Sequence, residues 1–94
     1  MSMTDEIKLN AERIAAVILD LCTKRGPDKT ICPSEVARAA TENGGNWRAH
    51  MDDIRRIGAQ LMRAGCIETT QRGVRVDPLT AKGPIRFRLA REHR

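Results

Sequence analysis

The order of the periodic segments in residues 47–89 constrains the fold of this chain more than any other feature. The apolar spacing predicts a long amphipathic helix that ends at Gly65. A short strand follows it, then a basic loop, and then a strand in which apolar and charged residues alternate. Residues 30–40 add a short β-prone run and a shorter helix in front. Together these segments predict an α+β fold.

Three helices are predicted from apolar spacing and from residues that favour helix ends. The first begins after Thr4, a good N-cap, and ends near Arg25, where Gly and Pro follow. The second begins with Pro33 and ends before a turn at residues 43–45. The third has Asn46 as its candidate N-cap. Its inward stripe consists of Trp47, Met51, Ile54, Ile57, Gly58, Leu61 and Met62.

Two alternating segments, 66–70 and 85–89, are predicted to pair as antiparallel strands. A second pairing stays open, because Arg72 and Gly73 are suited to turn the chain directly into residues 74–76. The last strand would then be a third, edge strand. The β-prone run at residues 30–32 is long enough to add one further backbone pairing, or rung, to the sheet. This order of elements is that of a winged helix-turn-helix, so we predict that fold, with three helices and a two- or three-stranded antiparallel sheet.

The size of the chain and the distribution of its charge limit the functions that it can have. We assign residues 1–94 to one domain and expect residues 1–4 and 90–94 to be frayed. Residues 1–45 carry a net charge of −1, whereas residues 46–94 carry +6. This asymmetry indicates a polyanionic partner, with DNA, RNA and an acidic protein all open. Because Trp47 and Phe87 are the only aromatic residues, an exposed row of stacking aromatics that binds single strands is excluded.

The remaining composition predicts a cytoplasmic protein with no membrane contact. No apolar run approaches a membrane span, and the first residues lack the pattern of a signal peptide. The cysteines Cys22, Cys32 and Cys66 have no C-x-x-C spacing, so we interpret them as small buried hydrophobic residues. We expect no metal, no cofactor and no enzymatic activity, because no catalytic constellation is present around His50 or the carboxylates.

The outward face of the third helix and the basic loop are the candidate surfaces for nucleic acid. The N-terminal part of such a helix enters the major groove, where Asn46 and Arg48 have base partners. Basic residues of the loop, the wing of the fold, are suited to hold phosphates. The sequence therefore predicts duplex DNA binding in a transcriptional regulator. The predicted binding residues are Arg48, Arg55, Arg56, Arg72, Arg75 and Lys82.

Each of these charged groups also has a purely structural interpretation. The outward helix face, which includes Ala59 and Arg63, is compatible with a solvated surface that carries an Asp52–Arg56 pair. In the last strand, Arg86 and Arg88 are compatible with cross-strand pairing to Glu68.

A protein-interaction module without nucleic-acid binding is therefore the alternative function. The acidic residues at positions 52 and 53 favour it, because they lie where a DNA-reading helix would approach phosphates. A homodimer would favour the DNA hypothesis, because paired half-sites are the usual source of affinity.

Several short motifs extend from Ile14 to Arg88 and resemble a known bacterial family. That family is catalogued as the domain of unknown function 3253 and has a winged-helix-like fold. The resemblance implies the fold and no specific activity. The motifs are Cys32-Pro33-Ser34-Glu35-Val36-Ala37-Arg38, Trp47-Arg48 with Met51, Ile54-Arg55, Gly65-Cys66-Ile67, Thr70-Gln71-Arg72-Gly73, Val76-Asp77-Pro78 and Gly83-Pro84-Ile85-Arg86.

Overall fold

The computed structural model describes residues 11–41 and 45–90. Its helices are α1 (Ala11–Arg25), α2 (Pro33–Ala40), the 3-10 turn η1 (Trp47–His50) and α3 (Met51–Arg63). Its strands are β1 (Ile67–Gln71), β2 (Val74–Arg75) and β3 (Arg86–Leu89).

The first two helices end where the sequence predicts. α1 ends at Arg25, and the amide of Gly26 donates to the carbonyl of Cys22 over 3.1 Å. Its predicted start after Thr4 lies outside the described residues. α2 begins at Pro33, directly after Cys32, whose amide donates to the carboxylate of Glu35 over 2.8 Å. This contact satisfies one of the backbone donors at the start of the helix.

The start of the third helix differs from the prediction. Residues 47–50 form a 3-10 turn, and the α-helix begins only at Met51. Asn46 precedes the turn, but its side chain makes no capping hydrogen bond. Ala59, predicted on the outward face, is completely buried, so the helix is covered over a wider arc than the apolar stripe indicated. Arg48 therefore lies on a 3-10 turn, with Asn46 directly before it, rather than on the first turn of an α-helix.

Both predicted strand pairings are present in one three-stranded antiparallel sheet of order β2-β1-β3. The central strand β1 pairs with β2 through Gln71 opposite Val74, and with β3 through Thr69 opposite Phe87. A single bridge joins Ile31 to Phe87 and adds the rung predicted at residues 30–32. Three helices with this antiparallel sheet form an α+β fold consistent with a winged helix-turn-helix.

The core lies between the three helices and one face of the sheet. Its fully buried members come from every helix and from both long strands: Ile14, Ile18, Cys22, Ile31, Val36, Ala37, Ile54, Ile57, Ile67, Ile85 and Phe87. Ala90, expected in the frayed end, is buried and donates its amide to the carbonyl of Cys66 over 3.1 Å. The ordered chain therefore continues past β3. Within residues 11–41 and 45–90, no helix is both long and apolar enough to cross a membrane.

Candidate nucleic-acid interface

The tip of the β1–β2 hairpin consists of Arg72 and Gly73. Both have positive φ, at 54° and 82°, as in the type I′ turns that match the twist of paired strands. Glycine and asparagine are the usual residues in such turns, and an arginine with positive φ has a conformational cost of about 1 kcal/mol. Arg72 is the only non-glycine residue with positive φ in the described part of the chain. The hairpin therefore exposes an arginine at a position that local backbone preference does not favour.

The loop that follows β2 is held by side chains from two other elements. Arg55 of α3 donates to the carbonyls of Pro78, Ala81 and Gly83 over 3.2, 2.8 and 2.7 Å. From the opposite strand, Gln71 Nε2 donates to the carbonyls of residues 82 and 84 over 2.5 and 3.1 Å. Five backbone carbonyls of a loop without regular structure are thereby satisfied. We call residues 76–85 the wing loop, and these contacts give it a fixed path.

A groove of about 660 Å³ lies between the hairpin tip and the wing loop. Three cationic residues line it: Arg72 from the tip, Lys82 from the wing loop and Arg86 from β3. All three are exposed, and no carboxylate of the described residues lines the groove. Arg86 is oriented by Thr30, because its Nε donates to Thr30 Oγ1 over 2.6 Å. Three positive charges therefore face one concave surface.

The two arginines of β3 have different surroundings. Arg88 lies opposite Glu68 in the register and donates to its carboxylate over 2.8 Å, as the cross-strand interpretation predicts. Arg75 of β2 donates to the same carboxylate over 2.5 Å. Burial of Glu68 by itself raises the pKa of the carboxyl, but the hydrogen bond from Arg88 and the charges of Arg75 and Arg88 outweigh it and lower the pKa below its ordinary value. Arg75 therefore neutralises a buried carboxylate within the sheet.

A second cationic surface surrounds Trp47 at the start of the third helix. The indole is half-buried and packs against the core, as a core anchor should. The guanidinium carbons of Arg38 and Arg48 lie 4.6 and 4.4 Å from its ring centroid, within cation–π distance. Both arginines are exposed. We call Arg38, Trp47 and Arg48 the tryptophan cluster.

The structure separates the six predicted binding residues into groups with different surroundings. Arg72 and Lys82 share the groove, and Arg48 belongs to the tryptophan cluster. Arg75 is paired with the carboxylate of Glu68. Arg56 is exposed and forms an ion pair with Asp53 over 3.0 Å, in place of the predicted pair with residue 52. Arg55, which sequence spacing placed on the outward face, has its donors directed to the wing loop. Its geometry fits a positioning role better than direct phosphate contact.

Sequence reasoning did not single out Arg38 or Gln71, and it did not separate Arg86 from Arg88. Alternation predicts that both strand arginines face outward, but the partner of Arg86 is residue 30, which is 56 positions away in the chain. The contacts of Gln71 with the wing loop span 11 and 13 positions. The one available signal for Arg38 was its location on a helix next to the predicted turn.

The described part of the chain brings together no group of three His, Cys, Asp or Glu side chains that could hold a metal ion. Its three cysteines are free, and Cys22 is fully buried. Burial raises the pKa of the Cys22 thiol to about 11. Cys32 and Cys66 are only partly buried, so the prediction of buried cysteines is confirmed for Cys22 alone.

Comparison with known proteins supplies the family. A search of curated proteins found no match to the chain. The model of the family described as "Protein of unknown function (DUF3253)" matches residues 11–90. This range contains every helix and strand described above, together with the groove and the tryptophan cluster. The chain therefore belongs to the DUF3253 family of proteins of unknown function.

Proposed function

We propose that this protein binds nucleic acid, with duplex DNA as its target, and acts as a transcriptional regulator in the bacterial cytoplasm. The wing would hold phosphates through Arg72 and Lys82, and the tryptophan cluster would supply a second contact. The alternative partners are RNA and an acidic protein.

The observation that carries the proposal is the groove with three cations and no lining carboxylate. Some exposed cations of this chain have acidic partners, as Lys24 has with Asp20 over 3.0 Å. In contrast, Arg72, Lys82 and Arg86 form no ion pair with a carboxylate of the described residues. Positive charge without internal compensation favours a phosphate backbone as the partner.

The backbone at Arg72 adds an independent argument. A residue held in an unfavourable conformation at an exposed tip contributes nothing to packing, so a role in binding is the simplest explanation for it. The wing loop is already ordered by Arg55 and Gln71, so little conformational entropy would be lost when phosphates bind. Both features favour the wing as the primary contact.

The tryptophan cluster supplies the second proposed contact. Arg38 and Arg48 are exposed cations held against one aromatic ring, which restricts their conformations. Arg56 has a smaller expected contribution, because its charge is compensated by Asp53. The acidic side chains on the first turn of α3 make base reading by that helix a weaker expectation than phosphate contact.

Fluorescence anisotropy with a random-sequence duplex, repeated over a salt series, tests the proposal. Log affinity should fall linearly with log salt, and Lys82→Gln should reduce the magnitude of the slope by about 1. Lys24→Gln is the matched control, because it removes the same charge from the exposed face of α1 and should leave the slope unchanged. Absence of duplex binding at low salt would contradict the proposal, as would equal slopes for the two variants.

A protein-interaction module is the second candidate function, and two exposed apolar side chains favour it. Val74 and Leu79, both in the wing region, are 65% and 51% exposed. They are the exposed large hydrophobic side chains of the described residues. The interaction function would be favoured if the wild-type chain bound no duplex but self-associated in light scattering, and if Val74→Ser with Leu79→Ser abolished that self-association.

A further inference from the structure

The groove has a second property that a simple phosphate-binding surface does not need. Beside its cations, it is lined by Val74 and Pro84, which are apolar and exposed, above the buried Ile85. Its volume of about 660 Å³ lies in the range of small-molecule sites. A duplex backbone would contact the rim of such a groove, whereas a small ligand would fill it. Shape and lining together therefore point to a compact ligand with both an anionic and an apolar part.

The charge in the groove indicates which class of anion it would bind. Arg72, Lys82 and Arg86 come from three separate segments, and the described residues that line the groove include no carboxylate to offset them. A phosphate diester carries one negative charge, whereas a phosphate monoester carries between one and a half and two at neutral pH. Monoesters also offer three strongly accepting oxygen atoms. Three cations in one groove therefore match a monoester better than a single diester.

The groove is also held in place before any ligand binds. The Nε of Arg86 is bound to the hydroxyl of Thr30, which fixes the plane of its guanidinium group. Gln71 holds the backbone of the wing loop on both sides of Gly83, through the carbonyls of residues 82 and 84. A ligand would therefore enter a site that is largely formed, which reduces the entropy lost on binding.

We propose that this groove binds a small phosphate monoester that carries an apolar substituent. The phosphate would contact Arg72, Lys82 and Arg86. The substituent would lie on Val74 and Pro84, which are exposed. Because Arg72 and Lys82 are also the proposed wing contacts, the ester would compete with the duplex. That competition rests on the proposed function, but binding of the ester does not.

Phenyl phosphate is a suitable probe, and its binding to the full chain can be followed by ¹H–¹⁵N NMR without nucleic acid. We expect shifts centred on residues 71–75 and 82–86, and binding about tenfold tighter than that of dimethyl phosphate, a diester. Inorganic phosphate should bind more weakly than phenyl phosphate, because it has no apolar group. Lys82→Gln and Arg86→Gln should each weaken binding about tenfold, whereas Lys24→Gln should not change it. Lys82 is exposed, so its variant keeps the test valid if loss of the Arg86–Thr30 bond perturbs the fold.

The inference would be overturned if dimethyl phosphate bound as tightly as phenyl phosphate, or if Lys82→Gln retained wild-type affinity. Displacement of phenyl phosphate by a 5′-phosphorylated oligonucleotide, but not by its 5′-hydroxyl form, would identify a strand end as the source of the monoester. Displacement by neither form would favour a free small molecule. Binding of phenyl phosphate by a protein that binds no duplex would refute the proposed function and leave this site intact.

Discussion

A Cβ atom on Gly58 would lie 2.7 Å from Cε1 and Cζ of Phe87. Gly58 is in the interior of α3, and Phe87 is at the centre of β3; both are buried. Glycine within a helix costs about 1 kcal/mol relative to alanine, so helix propensity does not explain its presence. The close approach of α3 to the phenyl ring of Phe87 explains why this position is a glycine.

Gly58→Ala should therefore destabilise the protein by about 1–3 kcal/mol, although alanine is the better helix former. Urea denaturation is the measurement. Gln60→Ala, an exposed position on the same helix, is the control and should change the stability by less than about 0.5 kcal/mol. In a Phe87→Leu background the cost of Gly58→Ala should shrink, because the smaller side chain relieves the clash. A stabilising Gly58→Ala would disprove this packing relationship.

Arg55 is predicted to control the order of the wing loop. Replacement by alanine removes three hydrogen bonds to backbone carbonyls and should increase amide hydrogen exchange in residues 78–84, with a stability loss of about 1–3 kcal/mol. Arg56→Ala is the neighbouring control, because the exposed Arg56 forms an ion pair with Asp53 and donates none of the hydrogen bonds described above to the wing loop. Equal exchange in the two variants would rule out the positioning role.

Arg72 is predicted to affect stability and affinity in opposite directions. Arg72→Asn places a residue that tolerates positive φ at the hairpin tip and should stabilise the protein by about 0.5–1 kcal/mol. The same change removes a proposed phosphate contact and should weaken duplex binding. Thermal unfolding and anisotropy on one preparation measure both effects. A variant that gains stability and keeps full affinity would show that this arginine has no binding role.

Stability should fall in acid through Glu68. Its pKa is lowered in the folded state, so its contribution is fully present above the unfolded-state value of about 4.3 and is lost as the pH falls through the folded-state pKa. Glu68→Gln should therefore have a shallower decline in the free energy of unfolding below about pH 5. It should also be less stable at neutral pH, because Arg75 and Arg88 lose their charged partner. Chemical denaturation of the wild type and of Glu68→Gln at several pH values tests this role of Glu68. If the free energies of unfolding of the two proteins fell in parallel with pH, the prediction would be wrong.

Cys22 is predicted to be the least reactive thiol. It is fully buried and its pKa is raised to about 11, so almost no thiolate forms near neutral pH. Ellman's reagent should modify Cys32 and Cys66, which are partly exposed, under native conditions and reach Cys22 only after unfolding. Mass spectrometry of the labelled peptides identifies the sites. Rapid native labelling of Cys22 would contradict its buried position.

Local signals were sufficient for most elements and insufficient for several contacts of the candidate site. The bounds of α2 and the alternation of β3 follow from Pro33 and from the apolar spacing, which depend on neighbouring residues alone. The two alternative strand pairings both form, because β1 is the central strand and pairs with β2 along one edge and with β3 along the other. The role of Arg55 was missed, since its acceptors are 23–28 residues away, and a helical wheel contains no such information. The 3-10 turn at Trp47 was missed because its spacing resembles that of the α-helix it precedes.

The bridge between Ile31 and Phe87 has a consequence for the order of folding. The last strand lies between β1 and residue 31, so it completes both the sheet and the core around the helices. Such contacts between distant parts of the chain form late and slow the folding reaction. During synthesis, α1 and α2 would therefore keep apolar surface exposed until residues 85–89 emerge, and a chain halted before that point should be a target for chaperones rather than a folded fragment.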